Sequence, residues 1–229
     1  MKGNNTYQNF VNYFKKWENA GMTGICMMVA GFAFMWLGLS YFSYILAIVL
    51  MVGGLGTFLY GSIGRANESD LINTIEHKRE ALTFHELEDD VHFRRRVPKT
   101  PEDRVFEGYE FREGLLFKKQ KNGSLCSSEY TYAKMRFLTD AFYVKTLTFS
   151  MISDEKSTET YEIPFSALEE VTVEREKRTL AMDKKQFDCK ICRLCLIYDG
   201  GKRLTLPAKD DIYTDEFAEE LKRKYLGVR

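Results

Sequence analysis

Between Glu18 and Arg65 the chain runs for 46 residues without a charged side chain. As an α-helix rising 1.5 Å per residue, that stretch would be about 69 Å long, more than twice the roughly 30 Å hydrocarbon core of a bilayer. One span is too few and two fit. The break falls where turn-tolerant residues cluster, at Gly38-Leu39-Ser40-Tyr41-Phe42-Ser43, which predicts an α-helical transmembrane hairpin over 20–63 with span cores at 21–37 and 44–61. Aromatic residues bracket the spans as interfacial belts do: Tyr13 and Trp17 before the first, Trp36, Tyr41 and Tyr44 about the turn, Tyr60 at the end. A signal peptide is the competing reading of the first segment, but the long aromatic lead and the second apolar segment close behind weigh against it. Lys15 and Lys16 precede the hairpin, Arg65 follows it and the turn is uncharged, so the positive-inside rule predicts that both termini are cytoplasmic.

The two spans share a pattern. Gly24, Gly31 and Gly38 recur every seven residues, as do Ala47, Gly54 and Gly61. Seven steps of 100° return to within about 20° of the starting face, so each helix carries a seam of small residues that lets another helix approach closely. The seams either close the hairpin on itself, the favoured reading, or form a homo-oligomer contact. In the lead, residues 1–19, Tyr7, Phe10, Val11, Phe14 and Trp17 fall at helical spacing opposite Asn5, Gln8, Asn9 and Asn12, as in an interfacial amphipathic helix contacting membrane lipids.

Residues 64–104 read as a charged connector. Leu71, Ile75, Leu82 and the apolar residues of 84–87 give a weak helical stripe, ended by Arg94-Arg95-Arg96, Pro98 and Pro101. The Arg triplet would suit anionic lipid, but Glu86, Glu88, Asp89 and Asp90 stand just before it. His77, His85 and His92 lie near one helix face with Glu88 and Asp89 between the last two. Two-turn spacings set the imidazoles about 10–12 Å apart along the axis, too far to share a metal ion. A solvated face is expected.

From 105 to 229 the period changes to that of strands. Segments 114–119, 130–138, 141–150, 158–165, 168–174, 189–198 and 202–206 are β-branched, aromatic or alternating, and turn residues separate them. An amphipathic helix over 214–225 follows, with Phe217, Leu221 and Tyr225 in register and Thr214 as N-cap. Seven short strands and one helix predict a cytoplasmic, mainly-β barrel or sandwich capped by that helix.

Several runs carry a resemblance: 136–144 (RFLTDAFYV), 161–171 (YEIPFSALEEV), 201–207 (GKRLTLP) and 216–221 (EFAEEL). They resemble bacterial pleckstrin-homology-like (PH-like) domains, in particular the YcxB-like group, which joins such a domain to two membrane spans. In that group an Ile-Pro-x-Ser-type motif bridges two strands and a Phe…Leu pair lies on the closing helix. The resemblance implies a PH-like fold and a bacterial inner-membrane setting, and it brings no catalytic signature.

Three constellations bear on chemistry. Lys121, Lys134 and Arg136 loosely match the cations with which eukaryotic PH domains hold inositol phosphates, and three cations about one loop would bind phosphate by charge-assisted hydrogen bonds. Chance accounts easily for such a match among 33 Lys and Arg, and Glu129 stands inside it. Cys189, Cys192 and Cys195 resemble half a metal-binding run, but strand alternation points Cys192 away from the other two, which predicts small core residues and no metal. No phosphate loop, G-x-S-x-G or H-E-x-x-H motif occurs, and the histidines lie outside the β region, which argues against an enzyme and calls for no cofactor. With 33 basic against 33 acidic residues, net charge gives no case for a nucleic-acid partner. The expected function is a membrane-anchored scaffold with a protein partner; the alternative is a domain sensing lipid headgroups or a small ligand.

Overall fold

The computed structural model describes residues 3–16, 19–38, 40–84, 87, 89–182 and 185–227, with backbone alone at 3–5, 92 and 185. Trp17, Leu39, His85, Glu86, Glu88 and the side chains of Asn5 and His92 lie outside the described residues. The chain divides into two compact units, residues 1–71 and 72–229.

In the first unit, α1 (Gly3–Lys15) is followed by two apolar helices, α2 (Ala20–Leu37) and α3 (Tyr41–Ser62). Both are long and apolar enough to cross a membrane. The turn between them is built locally. Gly38 ends α2 in the left-handed region (φ +55°), where a Cβ would be penalised. Ser40 then opens α3 with a reciprocal capping box, its Oγ accepting from the Ser43 N–H at 3.3 Å while Ser43 Oγ accepts from the Ser40 N–H at 3.1 Å.

Along the hairpin the small residues meet each other. A Cβ on Gly24 would stand 2.6 Å from the Gly54 carbonyl oxygen and 2.4 Å from the Phe58 nitrogen. One on Gly61 would stand 2.5 Å from the Gly21 nitrogen. Gly31 faces the Ala47 carbonyl and Met51 in the same way. Gly24, Gly31, Ala47, Gly54 and Gly61 thus lie where α2 and α3 touch backbone to backbone. Gly38 does not; it is the helix cap.

Helix α1 ties off the open end of the hairpin. Lys16 donates to the carbonyls of Tyr60 (2.9 Å) and Ile63 (3.0 Å), acceptors at the C-terminal end of α3, where cations are favoured. Asn12 donates to the Gly64 carbonyl at 2.6 Å, and Ala66 N–H to that of Asn9 at 3.1 Å. Phe10, Tyr13 and Phe14 are buried. The expected amphipathic division is therefore corrected: Tyr13 joins the buried stripe, and Asn9 and Asn12 serve the hairpin end instead of a purely solvated face.

The second unit is mainly β. A four-stranded antiparallel sheet has the order β1 (Asp103–Tyr109), β4 (Glu129–Phe137), β5 (Ala141–Ser150), β6 (Lys156–Pro164). A three-stranded sheet joins β7 (Leu168–Met182), β8 (Lys185–Tyr198) and β9 (Lys202–Pro207), the last two through a turn in which Asp199, Gly200 and Gly201 all have positive φ. A small ladder, β2 (Phe117–Lys119) with β3 (Leu125–Ser127), is inserted between β1 and β4. Inner-face residues such as Met135, Phe142, Val144, Leu194, Leu196 and Leu206 form the main core. It is closed by Ala218 and Leu221 of α6 (Ile212–Leu221).

Among the described residues, nine strands in open sheets replace the seven expected, and of the strand expected over 114–119 only Phe117–Lys119 forms, in the small ladder. β1 escaped notice because its charged side chains look like loop; they are paired in the fold. The boundary expected at 105 falls inside β1. β7 runs eight residues past the expected 174, through a charged, exposed stretch that suits an edge strand.

The apolar stripe of the connector is buried at Leu71, Ile75, Leu82, Phe84 and Leu87, and His77 is exposed. Segment 72–97, including the second half of α4 (Glu68–Glu80) and α5 (Val91–Arg96), covers the outer face of the four-stranded sheet. Phe84 and Leu87 are buried with Leu138, Ala141 and Tyr143, and Phe93 and Val97 pack beside them. Lys145 donates to the Thr83 carbonyl (3.1 Å), Lys78 to that of Ser150 (3.0 Å), and Thr139 N–H to that of Arg96 (2.9 Å).

Two outcomes test this architecture in urea denaturation of fragment 72–229. Phe84→Ala and Leu221→Ala each cost about 2–5 kcal/mol through lost burial and a residual cavity. Glu219→Ala, which breaks only an exposed pair with Lys222, stays within about 0.5 kcal/mol of wild type. A fragment beginning at 105, lacking Phe84, Leu87 and Asp103, is expected to melt at lower urea than 72–229; equal midpoints would show the cover to be dispensable.

Candidate functional site

The three cations proposed for phosphate do not converge. Lys121 sits in the exposed turn between β2 and β3, beyond the start of β4. Arg136 lies seven residues along β4 from Glu129, about 23 Å of strand away. Lys134 and Arg136 do stand together, and both are engaged. Arg136 holds Asp103 with two bonds of 2.7 and 2.9 Å, and Lys134 reaches the same carboxylate at 3.1 Å. Above them lies the Phe84 ring, with its centroid 4.7 Å from the Arg136 guanidinium and 5.0 Å from the Lys134 ammonium. Burial would raise the Asp103 carboxyl, but its bonds to Arg136 and Lys134 outweigh that and hold it below the usual carboxylate range.

Cys189, Cys192 and Cys195 are buried and free. Register puts Cys189 and Cys195 on one face of β8 and Cys192 on the other. Cys189 donates to the Arg178 carbonyl (3.3 Å) and Cys192 to that of Lys209 (3.5 Å), while Cys195 accepts from Arg203 at 3.2 Å. Burial pushes all three thiols up, away from the thiolate form that attacks electrophiles or binds metals. Among the described residues no group of three His, Cys, Asp or Glu could hold a metal ion.

What sequence reasoning missed is a groove of about 380 Å³ beside β1. Arg104, Val105 and Glu107 form one wall; Lys209, Tyr213 and Phe217 form the other, with Pro207 and Ala208 between. The second wall is braced. Arg175 of β7 binds Asp210 at 2.6 Å and Asp215 at 2.8 Å, which holds its guanidinium above its ordinary range. Asp211 caps α6 by accepting from the Thr214 N–H at 2.9 Å, and the Lys209 carbonyl accepts from the Thr214 hydroxyl at 2.8 Å. On the first wall Glu107 meets Arg79 at 3.3 Å, and Arg79 lies over the Tyr132 ring. The groove combines a strand edge, aromatic side chains and mixed charge, an arrangement for holding a chain segment more than for bond-breaking.

No family model, curated protein or solved structure matches this chain. Its site has to be argued from its own geometry. The residues of the groove gave no sequence signal beyond Phe217, because the two walls come from segments about 100 residues apart.

The Asp103 cluster has a pH signature. A carboxyl with a depressed folded pKa contributes stability that is fully present above its unfolded pKa and is lost as pH falls through the folded value. Asp103→Asn should cost about 1.5–3 kcal/mol at neutral pH, the range for hydrogen bonds to charged groups. The difference from wild type should shrink as pH falls below the ordinary carboxylate range. Urea melts at pH 7 and pH 3 measure it; a gap independent of pH would show that Asp103 is not held ionised by its partners.

Proposed function

We propose that this chain is a membrane-anchored, non-enzymatic interaction module of the bacterial inner membrane. In this reading α2 and α3 cross the bilayer, both termini are cytoplasmic, and the β unit is a PH-like domain that takes protein partners. The observation that carries it is the outward surface of the hairpin. Trp36 is 92% exposed, Met22 70% and Val52 67%, amid a continuous apolar belt with no charge. Water does not tolerate so large an apolar surface, and lipid does. At 1.5 Å per residue the 18 residues of α2 and 22 of α3 measure about 27 and 33 Å, bracketing the roughly 30 Å hydrocarbon core.

The PH-like reading is supported by strand order. With the β2–β3 insertion set aside, seven strands in two meanders and a final helix follow one another, the number expected from the sequence, although β1 stands in place of the strand expected over 114–119. The non-enzymatic reading is supported by the raised thiols, which disfavour the thiolate form needed for nucleophilic attack. Lipid-headgroup sensing loses its best residues, since Lys134 and Arg136 already share Asp103.

Single-cysteine variants test the topology. In intact cells a membrane-impermeant maleimide should label Ser40→Cys and should reach Thr6→Cys and Gly227→Cys only after permeabilisation. External labelling at Gly227→Cys would overturn the arrangement. The partner arm is crosslinking of the full chain in its native membrane, which should yield discrete protein adducts from the β unit.

A further inference from the structure

We propose that the free edge of β1 is a docking site for an extended acidic segment of a partner protein, taken up as an added strand in the groove. The inference rests on the reading of the β unit as a protein-binding domain and deepens it by naming the site and the occupant.

The backbone argument comes first. In an antiparallel pair, alternate residues direct both N–H and C=O at the partner strand, and those between direct both away. Glu110 N–H bonds to the Glu129 carbonyl, and Phe137 N–H to that of Glu102, so the even-numbered residues of β1 serve β4. Asp103, Val105 and Glu107 therefore turn their backbone groups outward. β1 is the edge of its sheet, and among the described residues no strand is hydrogen-bonded to its other side.

The edge stays open for a structural reason. Pro207 ends β9 and has no N–H to offer. β9 comes beside β1, and at Gly108 a Cβ would stand 3.2 Å from Pro207 Cβ. Beyond that pinch the walls part and the groove begins. Val105, 46% exposed, and Tyr213, 75% exposed, flank its mouth, and Phe217 packs partly against the core.

Charge selects the occupant. The groove presents three cations, Arg79, Arg104 and Lys209, against Glu107 and Asp211. Arg79 answers Glu107, and Asp211 is committed to the N-terminus of α6. That leaves Arg104, whose pairing with Glu102 is solvent-exposed, and Lys209, which has no ion pair among the described residues. Cations on both walls of a strand-shaped groove favour a peptide with acidic and apolar residues in alternation. Main-chain bonds to Val105 and Glu107 would supply affinity, and side-chain charge would set specificity.

The test uses the full chain in lipid nanodiscs and a fluorescent pentapeptide, Glu-Val-Glu-Val-Glu, followed by anisotropy. The acidic peptide should bind, with affinity falling as salt rises; its Lys-Val-Lys-Val-Lys counterpart should not. N-methylation of the alternate amides facing β1 should abolish binding. Val105→Pro removes one outward donor without touching the β4 ladder and should weaken binding about tenfold. Lys209→Glu should weaken the acidic peptide and admit the basic one. If Val105→Pro fails to fold, the N-methylated peptide and Lys209→Glu decide the matter alone. No binding by the acidic peptide, or binding indifferent to N-methylation, would overturn the docking site. If that failure occurs while native-membrane crosslinking still yields protein adducts, the interaction-module reading stands and only the groove is wrong; loss of both sinks the broader reading.

Discussion

A sheet that carries Tyr130, Tyr132, Tyr143 and Phe149 on its outward face cannot leave that face to water, and segment 72–97 is what covers it. The cover is held by rings and cations more than by aliphatic packing. Phe84 and Phe93 meet Tyr143 edge-on at centroid distances of 5.7 and 5.4 Å. Lys78 lies over Phe149 at 4.6 Å and Arg79 over Tyr132 at 5.1 Å. Burial lowers the Lys78 ammonium, and the charge of Asp154 offsets that only in part. At the far end Arg96 bridges Asp140 (2.8 Å) and Glu162 (2.7 Å). Much follows from this cover. It draws Lys134 and Arg136 under Phe84, where they clasp Asp103, and that clasp pins the start of β1 beside the groove.

The hairpin was legible in the sequence because a bilayer-length run of uncharged residues has few other solutions, and its small-residue period carried through to the contact itself. The strands with alternating apolar residues were legible for the same reason, since period 2 and turn chemistry survive in one dimension. The failures share a different cause. β1, the extension of β7 and the covering segment are all rich in charge, and charge reads as solvent exposure until its partners are known. Asp103 with Arg136, Glu107 with Arg79 and Arg96 with Glu162 join residues 33, 28 and 66 positions apart. Such pairing leaves no local periodicity. The phosphate reading of Lys121, Lys134 and Arg136 missed pairing of the same kind: Lys134 and Arg136 share Asp103, and Lys121 stands in the turn of the inserted ladder.

The β7–β8 ribbon shows how one pair of strands serves two cores. Near its base Val171, Val173, Leu194 and Leu196 share a face and enter the main core. Toward its tip the opposite face is buried, with Leu180, Cys189 and Ile191 packed against Phe117 of the small ladder. Strong twist is a property of two-stranded ribbons, and it carries the buried side from one face to the other along the strand. The same change explains why three cysteines at spacings of three residues are all buried although they alternate in direction. The inserted ladder is thus no ornament: without it, the apolar tip of the ribbon would have no partner.

Exposed sheet edges invite unwanted pairing, and proteins usually blunt them with charge, proline or cover. The edges here are treated unequally. β7 carries Glu174, Glu176, Arg175, Lys177 and Arg178, a dense run of charge that discourages any added strand. β1 has charges too, but Arg104 is turned over the Phe217 ring at 5.5 Å and Glu107 is neutralised by Arg79, which clears the approach to its backbone. Pro207 closes on the edge at Gly108, and the groove lies along the stretch before it. An edge that is open, backed by a braced helix and flanked by cations is a costly thing to keep by accident, because the same amides would pair with any extended chain. The short length of β1, Asp103–Tyr109, limits that hazard to a short segment, and the residual positive charge limits it further to an acidic one.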